Sequence, residues 1–294
     1  MSKLKAKDPK TVELSKPKFV IFGASGAGKT WFGLDFPNVY YIDTEGGAAR
    51  QHYMERLAKS GGKYMGLEEG ALDFETVIDQ FKALATEKHG FKTVIVDSIT
   101  KLFNTAIANE TERLRVANEK NEFGRDKKAA IAFMRRIIAA TTRLDMNVIF
   151  IAHEKAEWGM DDKGDRCEIG KVEDCWEKLR YELDLALQVQ KRGASRFGVV
   201  KKSRLLGFPE GSSFKLDKPE FEKLYGMDVI GKPAKIIELA SLAQVAEVNR
   251  LVDLLKVDRE TTDKWLEKAN AETFAEFNVE QADKIIINLN SKLK

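Results

Sequence analysis

A glycine-rich segment near the start of the chain carries residue types that bind phosphate. Residues 23–30 read GASGAGKT, which matches the pattern G-x-x-x-x-G-K-[ST]. Glycines let backbone N–H groups approach phosphate oxygens, while a lysine reaches the β- and γ-phosphates and a hydroxyl holds Mg²⁺. The segment predicts a nucleoside triphosphate site, whose expected contact residues are Gly23, Ala24, Ser25, Gly26, Ala27, Gly28, Lys29, Thr30 and Trp31.

Acidic residues follow two further apolar runs. Glu45 comes shortly after the run at 39–42, and Asp97 ends the run at 93–97. Asp97 is expected to hold Mg²⁺ opposite Thr30. Glu45 is expected to orient the water that attacks the γ-phosphate, as a general base. Asp43 is a rival for this second role, and a solvated acid that only ends a strand is the alternative reading of Glu45.

These residues require a scaffold in which strands alternate with helices. Strands are predicted at 18–22, 39–43, 93–97 and 147–153, because each run is short, apolar and ends in polar residues. Helices are predicted at 74–88 and 127–144. The predicted fold class is α/β, with a mostly parallel central sheet flanked by helices. The acids and the glycine-rich segment would then meet at the carboxyl edge of the sheet.

The later part of the chain has a different sequence pattern. Antiparallel strands are predicted at 183–191 and 197–202, around a turn at 192–194. Caps at Ser241, Asp258 and Asn278 predict three short helices. We therefore expect a flexible lysine-rich tail over 1–17, a nucleotide-binding core over 18–232 and a small helical domain over 238–294. That domain docks either on the core or on a partner.

Composition excludes several classes of protein. The chain has 294 residues, of which 43% are hydrophobic and 32% charged, as in ordinary globular proteins. It contains no apolar run near twenty residues, so no membrane partner is expected. The two cysteines, Cys167 and Cys175, are expected to be free thiols in a cytoplasm rather than zinc ligands. A net charge of +3 excludes a uniformly basic nucleic-acid binder.

The chain resembles the RecA/RadA recombinases through four motifs in the same order, namely GASGAGKT, YIDTEGG, VIVDSITKLF and VIFIAH. The resemblance covers roughly residues 18–230. It is closest to phage-type, core-only RecA/RadA-like proteins that anneal or recombine single-stranded DNA. The AAA+ class fits less well, because its catalytic acid normally follows the metal-binding Asp directly, whereas Ser98 follows Asp97 here.

The resemblance implies roles for further residues. Glu45 matches the catalytic glutamate of these recombinases. His153 stands where they usually carry a Gln that senses the γ-phosphate and couples it to a DNA-binding loop; a plain strand-end histidine is the alternative. Lys202 and Arg204 match basic residues that reach the γ-phosphate held by a neighbouring subunit. A basic strand end without such a role is the alternative for this pair.

The resemblance also implies two DNA-facing loops, near 112–128 and 155–178. Their basic side chains would follow phosphates, and a tryptophan would stack on a base. The first segment fits a solvated helix face equally well because glutamates are interleaved, and residues 161–165 fit a hairpin turn. The candidate contact residues are Arg113, Arg115, Lys120, Arg125, Lys127, Lys128, Trp158, Lys163 and Arg166.

Together these features predict an ATPase that uses ATP and Mg²⁺ and binds single-stranded DNA in phage-type recombination or strand annealing. ATP would be hydrolysed between copies of the chain in a filament or ring, in a bacterial host cytoplasm. A single-strand DNA-binding protein is a candidate partner of the C-terminal helices. The alternatives are a ring-forming helicase-like or packaging motor, and a nucleotide-gated binding module with little turnover.

Overall fold

The computed structural model describes residue 6, residues 8–269 and residues 271–293. Residues 1–5 and 7 of the expected tail therefore lie outside the described residues. Ten strands are described. They are β1 Lys18–Phe22, β2 Val39–Asp43, β3 Lys63–Met65, β4 Thr93–Asp97, β5 Asn147–Ala152, β6 Glu154–Met160, β7 Arg166–Glu173, β8 Leu185–Arg192, β9 Ser195–Ser203 and β10 Ser213–Lys215.

Helices connect most of these strands and form the C-terminal region. They are α1 Lys29–Gly33, α2 Gln51–Lys59, α3 Phe74–Thr86, α4 Ile99–Val116, α5 Arg125–Arg143, α6 Leu179–Glu182, α7 Lys218–Tyr225, α8 Met227–Ile230, α9 Leu242–Leu254, α10 Arg259–Ala269 and α11 Val279–Ser291. Within the described part of the chain, no helix combines the length and apolar character needed to cross a membrane.

Eight strands form one central sheet in the order β10-β9-β8-β1-β5-β4-β2-β3. The strands from β8 to β3 in this order pair in parallel, whereas β9 and β10 pair in antiparallel fashion at one edge. Strand β1 lies between β8 and β5, so the glycine-rich segment that follows it leaves the middle of the sheet. This arrangement confirms the predicted α/β fold, with a mostly parallel central sheet flanked by helices and additional C-terminal helices.

Each face of the sheet is covered by its own apolar layer. Alternate residues of β1 divide between the layers, with Val20 and Phe22 on one face and Phe19 and Ile21 on the other. Helices α3, α4 and α5 cover the first face, and α1, α2, α7 and α8 cover the second. Because both faces are buried, the strands read as continuous apolar runs, which made them visible in the sequence.

The end of the N-terminal segment is attached to the core. The Lys16 side chain is buried, and its ammonium donates to the carbonyls of Asp145, Lys232 and Pro233 at 2.8, 2.9 and 3.0 Å. The carbonyl of Pro17 accepts from the N–H at the second position of β5. The expected flexible tail over 1–17 therefore needs correction at this end, because a buried ammonium held by three carbonyls is fixed in place.

The three C-terminal helices start at the predicted caps and dock on the core. Ser241 and Asn278 each form a capping box, and the carboxylate of Asp258 accepts from the N–H of Thr261. Basic residues of α3 and α5 contact acids just before α11: Lys82 and Arg136 both bind Glu272. The alternative in which this domain docks on the core is therefore the one observed.

Replacing Arg136 by alanine is expected to loosen this contact. Its guanidinium binds both oxygens of Glu75 at 2.6 and 2.8 Å and Glu272 at 2.6 Å, so we expect a loss of about 1 kcal/mol in unfolding free energy. Burial by itself would raise the pKa of the Glu272 carboxyl group. The hydrogen bonds from Lys82 and Arg136 outweigh burial, so the pKa of Glu272 is lowered. This stabilisation is therefore present at neutral pH and disappears as the pH falls through that lowered pKa.

Denaturant unfolding at pH 7 and at pH 3 measures this effect. Arg135→Ala is the matched control, because Arg135 is an exposed neighbour on the same helix. A difference between the two variants that is equally large at both pH values contradicts the assignment.

Candidate nucleotide site

A cavity of about 550 Å³ lies at the carboxyl edge of the sheet. It is reached by the segments that follow β1, β2, β4 and β5, because parallel strands end at the same edge. Its lining comprises Gly23, Ala24, Ser25, Gly26, Lys29, Thr30, Tyr41, Asp43, Glu45, Gly47, Ala48, Tyr53, Asp97, His153 and Glu154. Most of the predicted nucleotide-contact residues thus meet in one place.

The glycine-rich segment folds as a loop that opens helix α1. Gly26 and Gly28 have φ values of 68° and 99°, which residues with a Cβ rarely adopt. The ammonium of Lys29 donates to the carbonyls of Gly23 and Ala24 at 2.7 and 2.9 Å. Burial lowers the pKa of Lys29, an effect opposed by the nearby carboxylates of Asp97, Glu154 and Glu45. The loop therefore holds a positive charge inside a largely acidic cavity.

Asp97 and Thr30 are in direct contact. The Thr30 hydroxyl donates to Oδ2 of Asp97 at 2.6 Å, and the hydroxyl of Tyr41 donates to the same oxygen at 2.8 Å. Burial raises the pKa of Asp97, and the two hydroxyl donors partly offset that effect. Burial also raises the pKa of Tyr41, so its hydroxyl stays protonated and remains a donor.

The donors on Thr30 and Asp97 suit Mg²⁺. A hydroxyl and a carboxylate are hard oxygen ligands, and Mg²⁺ at nucleotide sites is held by one or two protein oxygens together with phosphates and water. The 2.6 Å contact between Thr30 and Asp97 places the hydroxyl and the carboxyl group side by side in the cavity. These two residues would hold the ion, which would neutralise phosphate charge when bound.

Glu45 is held by two neighbours. Its Oε1 accepts from the Ser98 hydroxyl at 2.6 Å and lies 2.6 Å from Nε2 of His153. The structure describes no donor to its other oxygen, Oε2. His153 directly precedes strand β6, so its contact with Glu45 connects the cavity to the start of the β6–β7 hairpin. The two donors orient the carboxylate and leave Oε2 for a further hydrogen bond.

Asp43, the rival of Glu45, is engaged in a turn. Its carboxylate accepts from the N–H groups of Glu45, Gly46 and Ala48 at 2.9 to 3.1 Å and from the Tyr64 hydroxyl at 3.0 Å. All of these bonds shape the segment that carries Glu45. The geometry therefore favours Glu45 over Asp43 as the residue that faces a reacting group.

Trp31 lies beside the cavity within an aromatic group. Its ring meets that of Tyr53 edge-on, with centroids 6.0 Å apart, and the Arg56 guanidinium lies 4.0 Å from its centroid. Tyr53 itself lines the cavity. A role for Trp31 in binding nucleotide thus remains a prediction, and of these two neighbouring rings Tyr53 is the one that lines the cavity.

Lys202 and Arg204 lie at the opposite edge of the sheet. Ser203 is paired with Leu185, which is in turn paired with Phe19 near the start of β1. Lys202 donates to the carbonyl of Leu183, and Arg204 donates to the carbonyl of Tyr181. They are therefore not brought together with Lys29 and Glu45 of their own chain, and their action on a neighbouring copy remains a prediction.

The first expected DNA-facing loop is largely helical. Helix α4 continues to Val116, because Arg113 and Arg115 bind glutamates one turn earlier at 2.8 and 2.6 Å. Arg125 binds Glu119 at 2.7 Å. The connection at 117–124 lies outside α4 and α5, includes a short 3₁₀ turn at Glu122–Gly124, and presents Phe123 with 90% of its surface exposed. Sequence reasoning named the arginines here and missed this aromatic side chain.

The second expected loop forms the two-stranded hairpin β6–β7. The predicted turn at 161–165 is confirmed, since the Asp161 carboxylate accepts from the N–H groups of Lys163 and Asp165. Trp158 is half-exposed, and the Arg166 guanidinium lies 5.0 Å from its ring centroid. Residues 154–173 carry seven acidic and four basic side chains, a balance that repels nucleic-acid phosphates.

Three contacts of the site were missed from the sequence. Tyr41 bonds Asp97, Ser98 bonds Glu45, and Glu154 lines the cavity beside Lys29. Period-two alternation along β2 places Tyr41 on the same face as Asp43, which is a usable signal. Ser98 is adjacent to Asp97 in the chain, but its bond to Glu45 depends on how β2 and β4 align.

Solved structures with a similar arrangement include two proteins. The crystal structure of the RadB recombinase has a TM-score of 0.40 and 19% identity, covering 68% of this chain and 87% of that chain. The flagellar accessory protein FlaH from Methanocaldococcus jannaschii has a TM-score of 0.33 and 14% identity, covering 68% and 84%. No curated protein matches this chain.

One family model, described as an AAA domain, matches residues 15–214. The expectation that the AAA+ class fits less well is therefore not confirmed, because the matching family carries the AAA description. In the sequence, Ser98 rather than an acid follows Asp97, and the candidate catalytic acid is Glu45. Since the match spans more than half of the sequence, the chain belongs to this AAA domain family.

Proposed function

We propose that this protein hydrolyses ATP with Mg²⁺ in the cavity at the carboxyl edge. The observation that carries the proposal is the 2.6 Å bond between Thr30 and Asp97, with Lys29 and Glu45 in the same cavity. The loop N–H groups and Lys29 bind the phosphates, and Thr30 and Asp97 hold the metal. Glu45 orients the attacking water through Oε2, because Ser98 and His153 occupy Oε1.

The cavity also supports hydrolysis between copies of the chain. Among the described residues that line the cavity, Lys29 is the one lysine or arginine, in a lining that also includes His153 and the acids Asp43, Glu45, Asp97 and Glu154. Charge that develops on the phosphate oxygens in the transition state then needs cations from elsewhere. Lys202 and Arg204, at the opposite edge of the sheet, supply them to the next copy in a head-to-tail filament or ring.

The same proposal includes single-stranded DNA as the partner, in phage-type recombination or annealing. The connection at 117–124 supports it better than the hairpin does. Residues 117–128 carry four basic and three acidic side chains, so they do not repel nucleic-acid phosphates. A base can therefore stack on the exposed ring of Phe123 in their midst. Lys120, Lys127 and Lys128 would follow the backbone, while the C-terminal helices remain a candidate site for a single-strand DNA-binding protein.

ATP turnover with and without single-stranded DNA tests this proposal, with particle mass followed in the same samples. We expect turnover to rise severalfold with DNA while the particles grow. Phe123→Ala should weaken DNA binding about tenfold, whereas the matched control Trp158→Ala should change DNA binding little. Turnover from a monomer that ignores DNA would leave only the ATPase. Closed hexamers that unwind duplexes would replace recombination with a motor function.

A further inference from the structure

We propose that Tyr41 is a positioning residue that determines which oxygen of Asp97 faces the metal. Tyr41 and Thr30 both donate to Oδ2, at 2.8 and 2.6 Å. The structure describes no donor to the other oxygen, Oδ1. The carboxylate is therefore held with Oδ1 left for the metal or its water. This inference rests on the proposed function, because it concerns the same Mg²⁺ site.

The position of Tyr41 is closely constrained. Its side chain is almost completely buried in β2, which lies between β3 and β4. The Tyr64 ring packs nearby, with centroids 6.1 Å apart. A tyrosine held in this way has a fixed hydroxyl direction, so it can select one of two equivalent oxygens.

The paired arrangement of two tyrosines and two acids strengthens the argument. Asp43 and Asp97 are register partners across β2 and β4, so their carboxyl groups follow neighbouring strand ends. Tyr64 donates to Asp43, and Tyr41 donates to Asp97. Each tyrosine thus fixes one acid, and the two acids keep separate tasks: Asp43 holds a turn and Asp97 serves the metal.

Tyr41 differs from Thr30 in having no second task. The Thr30 hydroxyl is required both by Asp97 and as a ligand of the metal. The Tyr41 hydroxyl has Asp97 as its acceptor, and the Tyr41 side chain is almost completely buried at the wall of the cavity. It is therefore the donor that preserves the orientation of Asp97 when Thr30 binds metal.

Tyr41→Phe tests this inference, with Tyr40→Phe as the matched control. Tyr40 is the preceding residue of the same strand, and its hydroxyl bonds Gln80 at 2.5 Å, on the other face of the sheet. The measurement is a Mg²⁺ titration of fluorescent ATP-analogue binding, repeated for turnover. For Tyr41→Phe we expect the half-saturating Mg²⁺ concentration to rise about tenfold. Analogue binding in EDTA should equal that of the wild type, as should every value for Tyr40→Phe.

The outcomes separate this inference from the proposed function. If the wild-type protein binds nucleotide with Mg²⁺ and the Tyr41→Phe titration overlays that of the control, the role of Tyr41 is overturned and the proposed function stands. A Tyr41→Phe variant that also binds less analogue in EDTA overturns it too, because the hydroxyl would then support the loop in general. A wild-type protein without Mg²⁺-dependent binding or turnover overturns the proposed function as well.

Discussion

Lys29→Ala is expected to lose nucleotide binding and to reduce ATP turnover by about a thousandfold. Lys29 is the one lysine or arginine among the described residues that line this acidic cavity, and its ammonium is already held at the loop by two carbonyls. Its removal leaves the phosphates facing several carboxylates. The measurement is the dissociation constant of an ATP analogue, together with turnover at saturating Mg²⁺.

Lys29→Arg is the matched control for charge. It keeps the positive charge but not the compact ammonium that fits between two carbonyls, so it should bind better than Lys29→Ala and still turn over slowly. Binding by Lys29→Ala at wild-type affinity would show that the nucleotide lies elsewhere.

Glu45→Gln is expected to bind ATP with nearly wild-type affinity and to lose turnover by a factor of about 10² to 10⁴. The amide keeps the size of the carboxylate and an oxygen that can accept from Ser98. It cannot accept the proton of an attacking water. Single-turnover measurements with pre-bound ATP separate this loss from any change in binding.

Asp43→Asn is the informative companion, because Asp43 was the rival for the same role. Its carboxylate accepts three backbone N–H groups in the turn that carries Glu45. We expect this variant to lower stability and affinity along with turnover. If Asp43→Asn instead lost turnover alone while Glu45→Gln remained active, the two assignments would have to be exchanged.

Much of the scaffold was predictable, because its signals are local. Strands β1, β2 and β4 were predicted to the residue, since buried parallel strands read as short apolar runs that end in polar residues. The caps at Ser241 and Asn278 were also predictable, because a capping box lies within four residues of the chain. For the first segment expected to face DNA, a loop and a solvated helix face were both open from the sequence, and glutamate–arginine pairs three residues apart accompany the continuation of helix α4 there.

The sequence by itself predicted the glycine-rich loop that carries Lys29 and Thr30 into α1, and it placed Glu45 and Asp97 at or just after the ends of strands. Adjacent residues carry these signals. Only the tertiary structure decided how these groups hold one another, because hydrogen bonds such as Tyr41–Asp97 and Ser98–Glu45 join residues that are distant in the chain. They form when parallel strands align in register, and that alignment depends on packing across the whole sheet.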